Sequence, residues 1–246
     1  ERQTEEWVRY YLPAKEFVGL AVNEPAPDHS TLCLFKRRLE QAGLWAHFQA
    51  ASDEVLRQAM AAGVQMGRIQ VVDSVHSVAN VDNDADRERR KGGRPPRDPD
   101  AQLVQKRQRR KTEANGSVTI KEMQYLGYKS HVSLNAATGL ITSVRPTCGS
   151  AADNKQFEAL FKHDEMLQIN AEVYAGDRAY DDTELHYVLR QAGKQSALRL
   201  QKYRTQKKDP HKEPWLRMLA SPDYQRGLDE RYKIERKFGE AKRWHG

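Results

Sequence analysis

The sequence predicts an α/β fold, a mixed five-stranded sheet flanked by helices and preceded by a small helical N-terminal region. Three observations predict it. Apolar residues recur at helical spacing up to about residue 66, and short β-branched runs take over from Ile69. Those runs and the later helical stretches follow the order strand, two-stranded hairpin, helix, strand, helix, strand, helix. Such an order builds a sheet that combines parallel and antiparallel neighbours under helical cover.

The elements can be justified in turn. Trp7, Val8 and Tyr11 mark a short amphipathic helix. Asp28, Ser30 and Thr31 offer caps for a second, whose stripe is Leu32, Phe35 and Leu39 and whose stop is Gly43. Leu44, Trp45, Phe48, Val55, Leu56 and Met60 carry the pattern on to Gly63. Residues 1–66 thus form a helical region that packs on the sheet or reads DNA, and residues 67–246 form the main domain. Ile69-Gln70-Val71-Val72-Asp73 is a buried strand. The polar stretch of about 81–116 contains KGGRPPRDPD and reads as a flexible inserted loop. His131 to Leu134 alternates as a strand, Thr138-Gly139 turns the chain, and Leu140 to Val144 returns. Asp153 with Gln156 forms a capping box for a helix bearing Phe157, Leu160 and Phe161. Val173-Tyr174-Ala175 is the next strand. Asp181 with Glu184 caps a helix of Leu185, Val188, Leu189 and Ala192, and Ser196 to Leu200 is the fifth strand. A basic, proline-containing loop leads to a last helix from about Tyr224.

Composition narrows the function classes. No run of about 18 apolar residues exists, which excludes a transmembrane helix. No apolar stretch of signal-peptide type opens the chain. The chain starts without Met and stops within a helical pattern, and it reads as a piece of a longer protein truncated at its C-terminal end. Cys33 and Cys148 lack metal-ligand spacing and fit buried thiols in a reducing compartment. The net charge of +7 is concentrated: residues 87–111 hold eleven Lys/Arg against three Asp/Glu, or +8, which leaves about −1 elsewhere. A block of this kind attracts a polyanion through counterion release, or is simply a solvated linker.

The chemistry lies in three carboxylates. Asp73 ends an apolar strand, and Asp177 follows another through Gly176. In open α/β sheets, ligands bind beyond the carboxyl ends of strands. Two carboxylates placed there repel unless a cation lies between them, and hard oxygen ligands select Mg²⁺ or Mn²⁺. Asp177 alone reads equally as a turn residue. The last helix, LDERYKIERKFGEAKRWHG, adds Glu235. At ~100° per residue, with Arg231 at zero, Glu235 falls at about 40°, Phe238 at about −20° and Lys242 at about 20°. Ile234 and Ala241 lie at the edge of that stripe. A carboxylate between two cations on a partly apolar face suits a charged site. The plain alternative is an exposed i,i+4 pair worth roughly 0.2–0.5 kcal/mol.

Together these residues resemble the DDE transposases of bacterial insertion sequences. Arg231, Glu235 and Lys242 match the spacing of a late-helix Tyr-Arg-Glu-Lys signature, with Leu228 at the Tyr position. VVDSVHSVAN, YLGYKSHVSLNAATGLI, CGSAADNKQF and YAGDRAYDD resemble successive family segments in the right order. PDHSTLCLFKRRLEQAGL resembles the segment ahead of the catalytic domain, so the likeness covers most of residues 14–246.

The resemblance implies an RNase H-like fold and a mobile-element enzyme that cleaves DNA at element ends and transfers the strands into target DNA. It implies two Mg²⁺ (or Mn²⁺) ions held by Asp73, Asp177 and Glu235, with Arg231 and Lys242 catalytic beside them. The DNA contacts would be Arg89, Arg90, Lys91, Arg94, Arg97, Lys106, Arg107, Arg109, Arg110, Lys111 and Arg178. His131 fits a structural histidine better than a catalytic one. The implied partners are double-stranded DNA, as terminal inverted repeats and target, and a second copy in a synaptic homodimer, with no membrane. The implied place is the bacterial cytoplasm, at the nucleoid. The same residues also fit a structure-specific nuclease, or a remnant that binds DNA without cutting it.

Overall fold

The computed structural model describes residues 2–44, 46–112, 118–206 and 210–244. The chain divides into two compact units, Glu1–Gln58 and Ala59–Gly246. The first holds α1 (Arg2–Tyr10), α2 (Leu12–Phe17), α3 (His29–Gln41) and most of α4 (Ala46–Ala61). Asp28 caps α3 by accepting from the Thr31 N–H at 2.9 Å, as the sequence suggests. The Glu5 carboxylate of α1 accepts from the His29 N–H at 3.0 Å and ties α1 to that cap. Cys33 is exposed and Cys148 half-buried, so neither thiol is the buried group expected from the sequence.

The second unit is built on β1 (Ile69–Val78), β2 (Gln102–Thr112), β3 (Val118–Asn135), β4 (Ile141–Cys148), β5 (Val173–Gly176) and β6 (Gln195–Leu198). Its helices are α5 (Asn83–Lys91), α6 (Asn154–Met166), α7 (Thr183–Gln191), α8 (Glu213–Ala220), α9 (Pro222–Glu230) and α10 (Tyr232–Trp244). The sheet order is β2-β3-β1-β5-β6, with β4 also on β3. β1, β5 and β6 run parallel, while β3 is antiparallel to β1, β2 and β4. This is a mixed α/β sheet of the RNase H-like kind, with six strands rather than five.

The extra strand corrects the inserted loop. Residues 92–101 are turns and bends, in keeping with their Gly and Pro content, but helix α5 precedes them and β2 follows. Asp82 starts α5 by accepting from Asp84 and Ala85, both at 3.0 Å. β2 pairs with β3 from Gln102↔Gly127 to Thr112↔Val118. A strand this polar gives no apolar alternation to read, because its order comes from backbone pairing. Residues 113–117, the rest of the expected loop, lie outside the described residues.

Two layers cover the sheet. Val71, Val132, Leu134, Val173, Ala175 and Ala197 form one face, closed by Tyr224 of α9 and Ile234 of α10. On the other, Phe157 and Phe161 of α6 meet Tyr174 edge-on at 6.0 and 5.1 Å. Under α6, the buried Asp164 accepts from Ser133 and Thr142, both at 2.6 Å, and from Gln70 at 3.2 Å. Gln70 in turn accepts from Asn135 at 2.9 Å. These bonds pin the β1–β3 register, since a one-residue slip would turn Gln70 to the apolar face.

Two capping boxes are not formed. Asp153 makes no side-chain cap bond to α6, and Gln156 accepts from Arg145 at 2.8 Å instead. Asp182, not Asp181, caps α7 through the Glu184 N–H at 3.0 Å. Among the described residues, no helix is long and apolar enough to cross a membrane.

Candidate active site

β1 and β5 are parallel neighbours whose pairing ends at Val72 opposite Gly176, so Asp73 and Asp177 follow side by side; Asp73 does not end its strand as the sequence suggests, because β1 runs on to Val78 against β3. Gly176 lies close to its neighbours: a Cβ would stand 2.9 Å from Leu198 Cδ2 and 3.2 Å from Tyr180 Cδ2, so a larger residue would have to displace the Leu198 side chain. Asp177 accepts from the Ala179 N–H at 2.8 Å and starts a one-turn 3-10 helix, Arg178–Tyr180. It therefore serves as a cap as well as a member of the site. Asp73 Oδ1 accepts from the Ser74 N–H at 2.8 Å.

The late helix approaches from the apolar face of the sheet. Ile234 is fully buried against the sheet. Burial of such a side chain contributes roughly 1.5–3 kcal/mol and seats α10. Ile234 is therefore the centre of the buried stripe, not its edge, and Glu235 turns outward with its side chain 65% exposed. Arg231 sits at the turn between α9 and α10, with its side chain only 12% exposed. Its Nη2 is 3.5 Å from Asp73 Oδ2 and 3.8 Å from Glu235 Oε1. One guanidinium thus bridges two of the three carboxylates.

Burial pushes the Asp73 carboxyl up to about 6, against the bond from the Ser74 N–H; the Asp177 charge raises it further and Arg231 lowers it. Tyr180 is fully buried, and its phenol is raised well above its ordinary value by burial and by the charges of Asp153, Asp73 and Asp177. Its hydroxyl lacks a hydrogen-bond partner among the described residues.

The expected convergence of three carboxylates on one point is not seen: among the described residues, no three His, Cys, Asp or Glu side chains lie grouped around one possible ion position in this structure. The cation between Asp73 and Glu235 is Arg231. The donor set still fits a divalent ion chemically, since all its members are hard oxygens and the Asp177 charge raises the cost of ionising Asp73.

The remaining expected residues are dispersed. Lys242 is exposed on the last turns of α10. Arg178 donates through Nε to Leu200 O at 3.4 Å. Arg94 and Arg97 are exposed, while Arg89 donates to Pro95 O at 2.7 Å, Arg90 to Asp86 at 2.7 Å and Lys91 to Glu88 at 2.7 Å. Lys106, Arg107, Arg109, Arg110 and Lys111 belong to the backbone of β2, and their side chains lie outside the described residues. His131 is fully buried, with Nε2 3.0 Å from Thr147 Oγ1, as expected of a structural histidine.

Sequence reasoning missed Asp153. Its carboxylate lies among Lys129, His131 and Ser74 and is pulled down to about 2: burial opposes this, and the His131, Ser74 and Lys129 contacts outweigh it. Its spacing to Gln156 is that of a helix cap, so no local signal distinguished the two uses.

The mixed sheet order and the helices that flank it are those of an RNase H-like fold. The family model described as "Transposase DDE domain" matches residues 91–246, well over half of the chain. The chain belongs to that family. The matched segment contains Asp177, Arg231, Glu235 and Lys242, while Asp73 on β1 precedes it. No curated protein and no solved structure matches the chain.

Proposed function

We propose that the protein is a transposase that cleaves DNA strands at the ends of an insertion sequence and transfers them into target DNA. One observation supports this above the rest: Arg231 lies between Asp73 and Glu235, residues 158 and 4 positions away in sequence. Asp73, Asp177 and Glu235 would hold two Mg²⁺ or Mn²⁺ ions. Ions so held would supply an activated water or 3′-hydroxyl and stabilise the leaving oxygen.

The chain's own residues orient and neutralise. The Ser74 N–H fixes one oxygen of Asp73. Arg231 offsets the charge of two carboxylates while the site waits for substrate. A guanidinium carries five N–H donors, so Arg231 retains donors for phosphate oxygens beside the reacting bond. Glu235, exposed on the rim, is free to turn inward as the phosphate arrives. Lys242, two turns further along α10, would meet the backbone outside the reaction centre. The basic residues of α5 and β2 would bind the duplex by charge and without reading sequence. The working form would be a homodimer joining two element ends.

The test is cleavage of a supercoiled plasmid carrying the genomic DNA that flanks the coding region, in Mg²⁺. Wild type should nick and join this DNA, and Asp73→Asn should do neither. Equal activity of both proteins would sink the assignment. Cutting without joining would favour a nuclease.

A further inference from the structure

Three cations gather just past the carboxyl ends of β5 and β6. The pairings of Val72 with Gly176 and of Gly176 with Leu198 put Asp73, Asp177 and Arg199 in one row across three strands. The Arg199 N–H donates to Gly176 O at 3.0 Å and continues the ladder one residue past β6. Neighbouring strands lie about 4.8 Å apart, so the Arg199 backbone is one strand from Asp177 and two from Asp73. Arg178 follows Asp177 in the chain, and Gln201 ties it to the same loop by donating through Nε2 to Arg178 O at 2.8 Å. Lys202 follows Gln201 and opens a second 3-10 turn, Lys202–Thr205.

Arg178, Arg199 and Lys202 are exposed. Among the described residues, no carboxylate pairs with any of them; Asp181, which bonds their loop, is taken up by Arg204 and His186. The cations of α5 differ, since Arg87, Arg90 and Lys91 pair with Asp84, Asp86 and Glu88 of their own helix. Exposed cations without a partner are ordinary on a protein surface. What sets these apart is how their loop is held. The Asp181 side chain is fully buried and accepts from the Gln201 N–H at 2.6 Å. Arg204 Nε stands 2.7 Å from its Oδ1, and His186 Nε2 stands 2.9 Å from the same oxygen. Arg204 also donates to Thr183 Oγ1 at 3.0 Å, and its guanidinium lies 4.4 Å from the centre of the Trp215 ring of α8. A buried ion pair often adds no net stability over apolar packing; here it fixes the turn from Gln201 to Arg204 against α7. A loop fixed beforehand loses less freedom when a ligand arrives.

We propose that Arg178, Arg199 and Lys202 form a seat for backbone phosphates of the DNA strand beside the reaction centre, on the Asp177 side. The inference rests on the reading of the protein as an enzyme that cleaves DNA. It adds Arg199 and Lys202, which lie far in sequence from the basic block of residues 87–111. A polyanion brought up to Asp73 and Asp177 needs cations close by to offset their repulsion, and phosphate is the group that guanidinium and ammonium donors bind.

The experiment measures binding of a fluorescent linear duplex, taken from the genomic DNA that flanks the coding region, in EDTA across a salt series. It compares wild type with Arg178→Gln, Arg199→Gln, Lys202→Gln, the triple variant and Arg199→Lys. The control is Lys162→Gln, which removes an exposed α6 cation paired with Glu158. Urea midpoints check folding. Each Gln variant of the seat should flatten the slope of log affinity against log salt by up to ~0.9, and the triple variant by up to ~2.7. At about 0.1 M salt the triple variant should bind roughly 10-fold or more weakly. Arg199→Lys keeps the charge and should keep the slope, and Lys162→Gln should leave both slope and affinity as in wild type. A wild-type slope in the triple variant would overturn the proposal, as would an equal loss in Lys162→Gln, since charge anywhere would then suffice. Should the triple variant fail to fold, the three single variants decide by their slopes. A wild type that does not bind the duplex at all would instead remove the DNA-cleaving reading, and this inference with it.

Discussion

Gly227→Ala should loosen the late helices from the sheet and slow the reaction at a distance. Gly227 lies in α9 where the helix crosses β5 and β6. A Cβ there would stand under 3.0 Å from the Cβ of Ala197 and 3.3 Å from both Ala175 Cβ and Val173 Cγ1. Carbon atoms rest at about 3.5–4.0 Å, so α9 would have to retreat by roughly 1 Å. The Ala197 and Ala175 methyls cannot rotate away, since they are fixed to paired strands. Overpacking of this kind costs about 1–3 kcal/mol. Alanine returns ~1 kcal/mol of helix propensity, which leaves a net loss of up to about 2 kcal/mol. With a urea m value of ~2–3 kcal/mol/M, the midpoint should fall by roughly 0.5 M. The retreat also carries Arg231, at the end of α9, away from Asp73 on β1. Cleavage should therefore fall roughly 10-fold or more, beyond what unfolding explains. Urea titration and single-turnover cleavage measure the two effects. An unchanged or raised midpoint with a wild-type rate would refute this seating of α9.

Three further outcomes follow. Asp181 is held below its ordinary 3.8: burial raises it, and bonds from His186, the Gln201 N–H and Arg204 outweigh burial. Its folded pKa is depressed, so its stabilisation is full above pH 3.8 and is lost as pH falls through the folded value. The urea midpoints of wild type and Asp181→Asn should differ at pH 7 and converge on acidification below that value; a constant gap would contradict the sign. Asp164→Ala removes the acceptor shared by Ser133, Thr142 and Gln70 and should destabilise by about 3 kcal/mol or more, whereas Asp164→Asn should cost less. Replacing Arg107, Arg109 and Arg110 with Gln should weaken DNA binding and flatten the slope of log affinity against log salt by up to ~2.7. An unchanged slope would place the DNA elsewhere.

Much of this protein was legible in the sequence because local physics dictates it. The apolar runs at Ile69 and Val173, the turn at Thr138-Gly139 and the Asp28 cap each depend on residues close in the chain. The position of Asp177 followed from a strand ending where polar residues begin, whereas β1 runs on past Asp73 to Val78 because β3 pairs with it there. Tertiary structure decided the rest. β2 carries no apolar alternation, and only its hydrogen bonds to β3 make it a strand. α10 buries Ile234 because α9 sets its rotation at the Arg231 turn, which leaves Glu235 on the rim. Asp153 and Asp181 have the spacing of helix caps, yet both turn to cations brought in from other elements. A carboxylate goes to the strongest donors within its reach, and which donors are within reach depends on residues far away in the chain. Local pattern in the chain settles five strands, the hairpin turn and the candidate carboxylates, while long-range packing adds β2 and sets Arg231 between Asp73 and Glu235.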